Sequence, residues 1–174
     1  MRPDEAEEFA AFVRARSAAL YRTALLLTGS RDTADDLVQS TLERACRHWP
    51  RARRASSPEA YARRILVNLA NDRRRVLRRR PEVPLTADRV DLDDPYGRLA
   101  QRDQLLRGLQ ALPVQMRTVL VLRYFDDLPD EGIAELMDVS PSTVRSQASR
   151  ALAKLRAAVG RPETEEETGR ARTH

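Results

Sequence analysis

The stretch DEGIAELMDVSPSTVRSQASRALAKLR, residues 130–156, decides the fold of this chain. Its apolar residues recur three and four positions apart in two runs, as they do along one side of a helix, and a short turn separates the runs. Ser140 is a favoured residue for capping the start of the second run, and Pro141 suits its first helical position. The stretch is therefore predicted to be a helix–turn–helix, with an ordinary helical hairpin as the alternative.

The outward face of the second predicted helix carries small hydroxyl side chains around an arginine. Such a face suits a helix that enters the major groove of DNA. The outward residues are Ser142, Arg145, Ser146 and Ser149.

Outside this stretch, almost all of the chain also shows the helical period. We expect helices at about 4–28, 31–48, 58–79, 98–111, 113–125, 130–137 and 141–157, and no segment alternates with period two. The prediction is an all-α fold of two small helical domains. A three-helix domain spans 1–77, a proline-containing acidic linker at 78–97 is flexible, a four-helix domain spans 98–160, and a charged tail at 161–174 is disordered.

A polar stripe runs along the third predicted helix, opposite an apolar side that includes Val76. The stripe residues lie three and four apart: Arg64, Asn68, Asn71, Arg75 and Arg79. Arginine neutralises phosphate and asparagine can pair with a base edge, so the stripe indicates a nucleic-acid surface; a solvated charged face is the alternative. Tyr61 beside the basic loop before this helix can stack on an unpaired base, or pack at the domain edge.

The second predicted helix has an acidic outer face that should repel DNA. It consists of Asp35, Asp36, Gln39 and Glu43. Such a patch either keeps the helix soluble or binds a basic protein partner.

Composition narrows the class of protein. The net charge is +5, and the basic residues are all arginine apart from Lys154. This balance favours a polyanionic partner over a merely solvated surface. A single cysteine, Cys46, and two distant histidines offer no metal or cofactor site. The acidic N-terminus has no signal-peptide pattern, and no run of about 18 apolar residues occurs, so we expect a cytoplasmic protein that does not enter the membrane.

Three blocks, TADDLVQSTLERACRHW, SPEAYARRILVNLANDRRR and LPVQMRTVLVLRYFDDLPDEGIAELMDVSPSTVRSQASRALAKLR, together resemble the sigma-70 superfamily. The resemblance is to its extracytoplasmic-function group, closest to the actinobacterial SigE-like branch, and it covers about residues 8–157. It implies a sigma factor that binds core RNA polymerase and promoter DNA, is not an enzyme, and is a monomer when free. An anti-sigma protein is a further candidate partner.

The resemblance also implies roles for particular residues. The core-polymerase surface would contain Asp35, Asp36, Leu37, Gln39 and Glu43. The minus-ten surface would contain Arg53, Arg54, Tyr61, Arg64, Asn68, Asn71 and Arg75. The minus-thirty-five surface would contain Ser142, Thr143, Arg145, Ser146, Ser149 and Arg150.

Three residues depart from the family pattern. Asp138 stands where glycine is usual in the turn, and Asp tolerates a left-handed backbone better than most residues. Gln147 replaces a common arginine, and Tyr61 replaces a bulkier aromatic residue.

Two other classes of function were weighed against a sigma factor. A stand-alone DNA-binding regulator would leave the N-terminal block unexplained and would normally need a dimer interface or a ligand pocket. A nuclease would need carboxylates, histidines or a nucleophile at catalytic spacing, which the sequence does not offer. For a sigma factor, the flexible linker predicts that the two domains lie close together but poorly oriented in the free protein.

Overall fold

The computed structural model of the protein describes residues 2–55, 57–78 and 98–160. These ranges contain helices and no strand, as predicted. The helices are α1 Pro3–Thr28, α2 Arg31–Arg47, α3 Trp49–Ala52, α4 Pro58–Arg78, α5 Arg98–Ala111, α6 Val114–Tyr124, α7 Asp130–Met137 and α8 Pro141–Val159. We call α1–α4 the N-terminal half and α5–α8 the C-terminal half.

A tight turn joins α1 to α2 and lets them pack against each other. Gly29 ends α1 in the left-handed conformation, with φ 72°, and its N–H donates to the Leu25 carbonyl. The Ser30 hydroxyl then accepts from the Thr33 N–H and caps α2. Helix α4 closes the half by burying Ala62 and Leu66 against the first two helices.

The short helix α3 was not predicted, because the sequence WPRARRASSP contains a proline and many basic residues. Trp49 anchors it: the indole is buried and lies 5.1 Å from the ring of Phe9 and 5.3 Å from that of Phe12, measured between ring centroids. Pro50 is compatible with the first turn of a helix. An apolar anchor and a proline in the first turn therefore make one helical turn where the composition indicated only a loop.

The C-terminal half contains the predicted helix–turn–helix, formed by α7 and α8. Asp138 ends α7 in the left-handed conformation, with φ 55° and ψ 50°. The Ser140 hydroxyl accepts from the Thr143 N–H at 3.1 Å and caps α8. The turn therefore forms without the usual glycine, as the tolerance of Asp for this conformation predicts.

The two halves share one hydrophobic core, so the expectation that they are poorly oriented is wrong. Leu20, Leu27 and Leu66 of the N-terminal half belong to the same buried cluster as Val121, Ile133 and Val144 of the C-terminal half. Leu26 of α1 also packs on a second cluster built from α5, α6 and α8. Shared burial of apolar surface fixes one half against the other.

One predicted core residue is outside the core. Val76 was expected to face inward, but it is 58% exposed, because α4 extends beyond Ala70, the last residue of this helix that is described as buried. The predicted linker beyond residue 78 and the predicted tail lie outside the described residues, and the division into separate domains stays a prediction. None of the helices in the described ranges has the length and apolarity that crossing a bilayer requires.

Candidate nucleic-acid interface

The outward face of α8 is open to solvent. Its exposed residues are Ser142, Arg145, Ser146, Ser149 and Arg150. Thr143 is half-buried, and its hydroxyl lies 2.8 Å from that of Ser140. Thr143 thus serves the helix cap. The Ser142 hydroxyl also lies 2.9 Å from that of Ser140, and all five of the other predicted residues are exposed.

Asp130, which the sequence did not single out, lies beside this face. One of its carboxylate oxygens is 3.2 Å from the Arg123 guanidinium and the other is 3.9 Å from that of Arg145. Asp130 begins α7, so this carboxylate connects α6, α7 and α8. The spacing of charges along the chain gives no signal for such a contact, because the three residues come from three elements.

The predicted polar stripe lies along α4, and residues of the C-terminal half lie close to it at two places. Arg64, Asn68 and Arg75 are exposed, while Asn71 and Tyr61 are half-buried. Arg79, the last residue predicted for the stripe, lies outside the described residues.

At the N-terminal end of the stripe, the Arg64 guanidinium donates to the Glu135 carbonyl of α7 at 2.8 Å. Tyr61 and Arg64 line an opening of about 260 Å³ together with Leu128, Glu135 and Leu136.

At the other end of the stripe, Asn71 and Arg75 line an opening of about 430 Å³ with Gln115 and Gln147 of the C-terminal half. Gln147, which replaces a common arginine of the family, thus lines an opening together with residues of α4. Its Oε1 is buried with no hydrogen-bond partner among the described atoms. The openings at both ends of the stripe are therefore enclosed partly by the other half of the chain.

The two predicted arginines in the loop before α4 differ. The Arg53 guanidinium is 3.3 Å from the Glu5 carboxylate and 3.1 Å from that of Glu8, both on α1. Arg54 is exposed. Arg53 therefore already has anionic partners within the chain, and Arg54 is the more available of the two for phosphate.

The acidic face of α2 borders an apolar groove on the side of the N-terminal half. Asp35, Asp36, Gln39 and Glu43 are all exposed. The groove, of about 860 Å³, is lined by the apolar residues Phe9, Val13, Val38 and Leu42, with Asp35, Gln39 and Glu43 among its polar residues. An apolar floor with an acidic rim suits a basic amphipathic helix.

Two members of this predicted surface have partners inside the chain. Leu37 is only 3% exposed, so it packs α2 in place and does not itself present a contact surface. The Asp36 carboxylate is 3.7 Å from the Arg73 guanidinium of α4. That anion offsets part of the repulsion among the clustered arginines at the end of α4.

Asp126, in the loop between α6 and α7, joins the two halves and was missed by the sequence analysis. Its carboxylate accepts from the Thr23 hydroxyl of α1 at 2.7 Å and from Arg63 Nε of α4 at 3.2 Å. Burial raises the pKa of Asp126, although Thr23 and Arg63 act in the opposite direction. The contact between the halves has thus taken this carboxyl largely out of water.

Arg117 forms a second polar contact between the halves. It is 1% exposed, and its guanidinium donates to the carbonyls of Leu27 in α1 at 2.9 Å and of Leu109 at 2.6 Å. Further bonds go to the Gln110 and Leu112 carbonyls and to Gln110 Oε1. These carbonyls lie at the ends of α1 and α5, where a helix lacks its own donors and attracts cations. An arginine within the apolar run MRTVLVL, residues 116–122, was the available signal.

Comparisons with known proteins agree with this architecture. The family profile described as Sigma-70 region 2 matches residues 12–80, and that described as Sigma-70, region 4 matches residues 102–155. The RNA polymerase sigma-E factor of Streptomyces coelicolor is 34% identical over 87% of this chain and 86% of its own length. The RNA polymerase sigma factor SigV of Bacillus subtilis is 28% identical over 78% of this chain and 81% of its own.

Solved structures support the fold. The sigma factor RpoE of Bartonella quintana, in complex with the anti-sigma factor NepR, matches 88% of this chain and 98% of its own with a TM-score of 0.75 at 23% identity. CnrH, in complex with the cytosolic domain of CnrY, matches 87% of both chains with a TM-score of 0.60 at 24% identity.

This chain therefore belongs to the sigma-70 family and is an RNA polymerase sigma factor that directs promoter recognition. Its relatives identify it more narrowly as an extracytoplasmic-function sigma factor of the SigE-like branch.

Proposed function

We propose that the chain performs promoter recognition through three separate surfaces, acting as a non-catalytic subunit of polymerase in the cytoplasm. The acidic-rimmed groove on α1 and α2 docks on core polymerase. The stripe on α4 reads and helps to open the minus-ten element. The outward face of α8 reads the minus-thirty-five element in the major groove.

The observation that carries this proposal is the separation of charge on the N-terminal half. The acidic residues of α2 are exposed beside an apolar groove, while the Arg and Asn residues of the stripe lie on α4. A surface rimmed with carboxylates repels DNA and attracts a basic protein, whereas an Arg–Asn surface does the reverse. One small helical unit can thus bind polymerase and DNA at the same time.

An Asp36→Arg variant tests the docking surface. Reversing this charge at a desolvated interface can cost several kcal/mol of binding free energy. The exposed position limits the change in stability to about ±0.5 kcal/mol. We expect the variant to remain helical and to lose retention of core RNA polymerase in a pull-down.

Glu7→Arg is the matched control, because it makes the same charge change at an exposed position on α1. It should retain core polymerase as the unmodified chain does. Normal retention by a folded Asp36→Arg variant would refute the docking assignment. Failure of the unmodified chain to bind core polymerase, combined with tight promoter binding by the chain alone, would instead favour a stand-alone regulator.

An anti-sigma protein is the further partner that we propose. The sigma factor RpoE of Bartonella quintana, which is similar in fold, was solved in complex with the anti-sigma factor NepR. The apolar groove on α1 and α2 would serve such a protein and polymerase alike, so the two should compete. Asp36→Arg should then weaken both interactions in parallel.

A further inference from the structure

A short basic turn, residues 49–54, precedes α4 and packs against α1. We infer that Glu5 is a positioning residue for this turn. It holds Arg53 against α1, so that Arg51 and Arg54, and not Arg53, meet the phosphates of the minus-ten element. The inference rests on the proposed function, since it takes the basic turn to continue the surface of α4 that opens this element.

The side chains that α1 holds lie on one side of the basic turn. Trp49 and Arg53 are four positions apart, and the Arg53 N–H donates to the Trp49 carbonyl at 2.9 Å. Residues at this spacing share a face of a helical turn. Trp49 is buried against the rings of Phe9 and Phe12, and the Arg53 guanidinium contacts carboxylates of α1. This face is therefore fixed on α1 at both of its ends.

Two further arginines lie on another side of the same turn. Arg51 and Arg54 are three positions apart, and the Arg54 N–H donates to the Arg51 carbonyl at 3.2 Å. Both residues are exposed. Guanidinium groups that share an exposed face attract phosphate, which they can bind through two parallel hydrogen bonds. Fixing the first face on α1 therefore sets the direction in which these two side chains project.

Glu5 can fix the basic turn because its own carboxylate is held in place. Its side chain is only 10% exposed, and its two oxygens accept from the Arg2 N–H at 3.1 Å and from the Arg2 guanidinium at 3.0 Å. Both hydrogen bonds, the backbone one first, lower the pKa of Glu5, so the carboxylate stays charged. A charged group with a fixed position is a suitable anchor for a partner from another part of the chain.

The Arg53 guanidinium binds two carboxylates at once. One terminal nitrogen lies 3.3 Å from the Glu5 carboxylate, and the other lies 3.1 Å from that of Glu8, one turn further along α1. Two such contacts orient a guanidinium as well as neutralising it. The same two carboxylates repel a phosphate that approaches Arg53. Arg53 therefore acts on DNA through the position of the turn, and Glu5 acts through Arg53.

DNA opening by the holoenzyme, which is this chain bound to core polymerase, tests the order of action. Glu5→Gln removes the charge that faces Arg53 but keeps an acceptor for the Arg2 N–H, since Gln also suits this position at a helix start. We expect it to slow opening about twofold to fivefold, as for the loss of a partly exposed ion pair. Arg53→Ala should slow opening at least as much, and adding Glu5→Gln to it should cause no further loss.

The opposite result is expected if Arg53 itself binds phosphate. Glu5→Gln would then release Arg53 from a competing carboxylate, and opening would be unchanged or faster. Glu8→Gln provides a second variant, because this exposed carboxylate takes no part in the start of α1 and its loss should also slow opening. Glu7→Gln is the matched control, since it makes the same charge change at an exposed position and should open DNA normally.

The measurement is permanganate reactivity of unpaired thymines over time, on one duplex selected from a promoter library by the unmodified holoenzyme. Circular dichroism and a pull-down should show normal helix content and normal retention of core polymerase for every variant. A role of Glu5 in stability alone would reduce helix content or retention and leave opening by the retained holoenzyme unchanged, which would overturn the inference.

Further variants separate this inference from the proposed function. Normal opening by Asn71→Ala would refute the role of the α4 stripe itself. Defective opening by Asn71→Ala beside normal or faster opening by Glu5→Gln and Glu8→Gln would overturn the positioning role alone. The positioning role is also overturned if the effects of Glu5→Gln and Arg53→Ala add in the double variant, or if Arg51→Ala combined with Arg54→Ala opens DNA normally.

Discussion

The two surfaces proposed to meet DNA, on α8 and on α4, differ in how much they are contacted by other parts of the chain. The α8 face is formed by one capped helix, and Arg145, Ser146 and Ser149 are exposed as the helical period alone predicts. The α4 face also follows the helical period, yet Arg64 is hydrogen-bonded to α7, and Asn71 and Arg75 line an opening with residues of the C-terminal half. Local sequence fixes which residues share a face, while tertiary packing fixes whether that face is free.

This difference teaches that a residue proposed to read DNA can lie on the predicted face of its helix and still have a hydrogen-bond partner in another part of the chain. Arg64 lies on the stripe as predicted and remains exposed, yet it donates to a carbonyl of α7. Arg145, by contrast, lies 3.9 Å from the Asp130 carboxylate, a longer contact with a partly exposed partner. Variants of α8, of α4 or of the contact between the two halves can test this difference between the two faces.

The largest effect is expected on the free energy of unfolding, for a variant of the contact between the two halves. Arg117→Met removes a buried guanidinium and leaves several carbonyls at the ends of α1 and α5 without their donor. Each buried carbonyl left without a donor typically costs about 1–3 kcal/mol. Chemical denaturation should show this loss of unfolding free energy, whereas the exposed Arg102→Met should change it by no more than about 0.5 kcal/mol. Equal stability of the two variants would contradict the role of Arg117.

On the open face, Arg145→Ala should change sequence preference. A guanidinium bound to a base edge contributes roughly 1–3 kcal/mol of discrimination at one base pair. Selection from a promoter library by the holoenzyme should show relaxed preference at one upstream position. Arg156→Ala, further along α8, should leave the preference profile unchanged. An unaltered upstream profile for Arg145→Ala would exclude the docking geometry proposed for α8.

On the α4 face, Tyr61→Ala and Asn71→Ala should impair opening of the DNA strands. Stacking of an unpaired base on an aromatic ring contributes about 1–3 kcal/mol. Both holoenzymes should form closed complexes and open them poorly, and a pre-melted template should rescue Tyr61→Ala more than Asn71→Ala. Permanganate footprinting of the two variants measures this. Normal opening by Tyr61→Ala would mean that Tyr61 only packs against α7.

The smallest effect is expected for Asp130→Asn. The substitution keeps the shape of the side chain and removes the charge that faces Arg123 and Arg145. A partly exposed ion pair contributes about 0.2–1 kcal/mol, so preference should relax slightly, at the same base pair as in Arg145→Ala. Selection from the promoter library measures the base preference at each position separately. A change at another position, or an additive change in the Asp130→Asn and Arg145→Ala double variant, would rule out coupling of the two residues.

The regular elements and their caps could be predicted from the sequence because they depend on neighbours along the chain. Ser140 at the start of α8, Gly29 at the end of α1 and the left-handed Asp138 are all decided by local hydrogen bonding and backbone sterics. Helix α3 could not be predicted, because its helical turn depends on burial of Trp49 against Phe9 and Phe12 from α1.

The predicted surface residues were placed correctly where exposure follows the helical period, as for Asp35 and Ser146. The joint between the halves was not foreseen. Asp126 binds Thr23 and Arg63, which precede it by 103 and 63 positions in the chain. Helical periodicity reports only on residues a few positions apart, so it could not predict either contact. Leu37 differs from its predicted role in another way. The family resemblance includes it in the polymerase-docking surface, whereas its position on α2 buries it.

The core shared by the two halves also bears on how long the protein survives in the cell. While the halves are packed, Leu26 and its neighbours are protected, and local unfolding must break contacts on both sides of the chain. Once the halves separate, each becomes a small helical unit with proportionally less buried surface, and proteases act on such transiently unfolded chains. A molecule whose halves have separated before it binds polymerase would be degraded sooner, so turnover would favour sigma factor that is either packed or engaged in transcription.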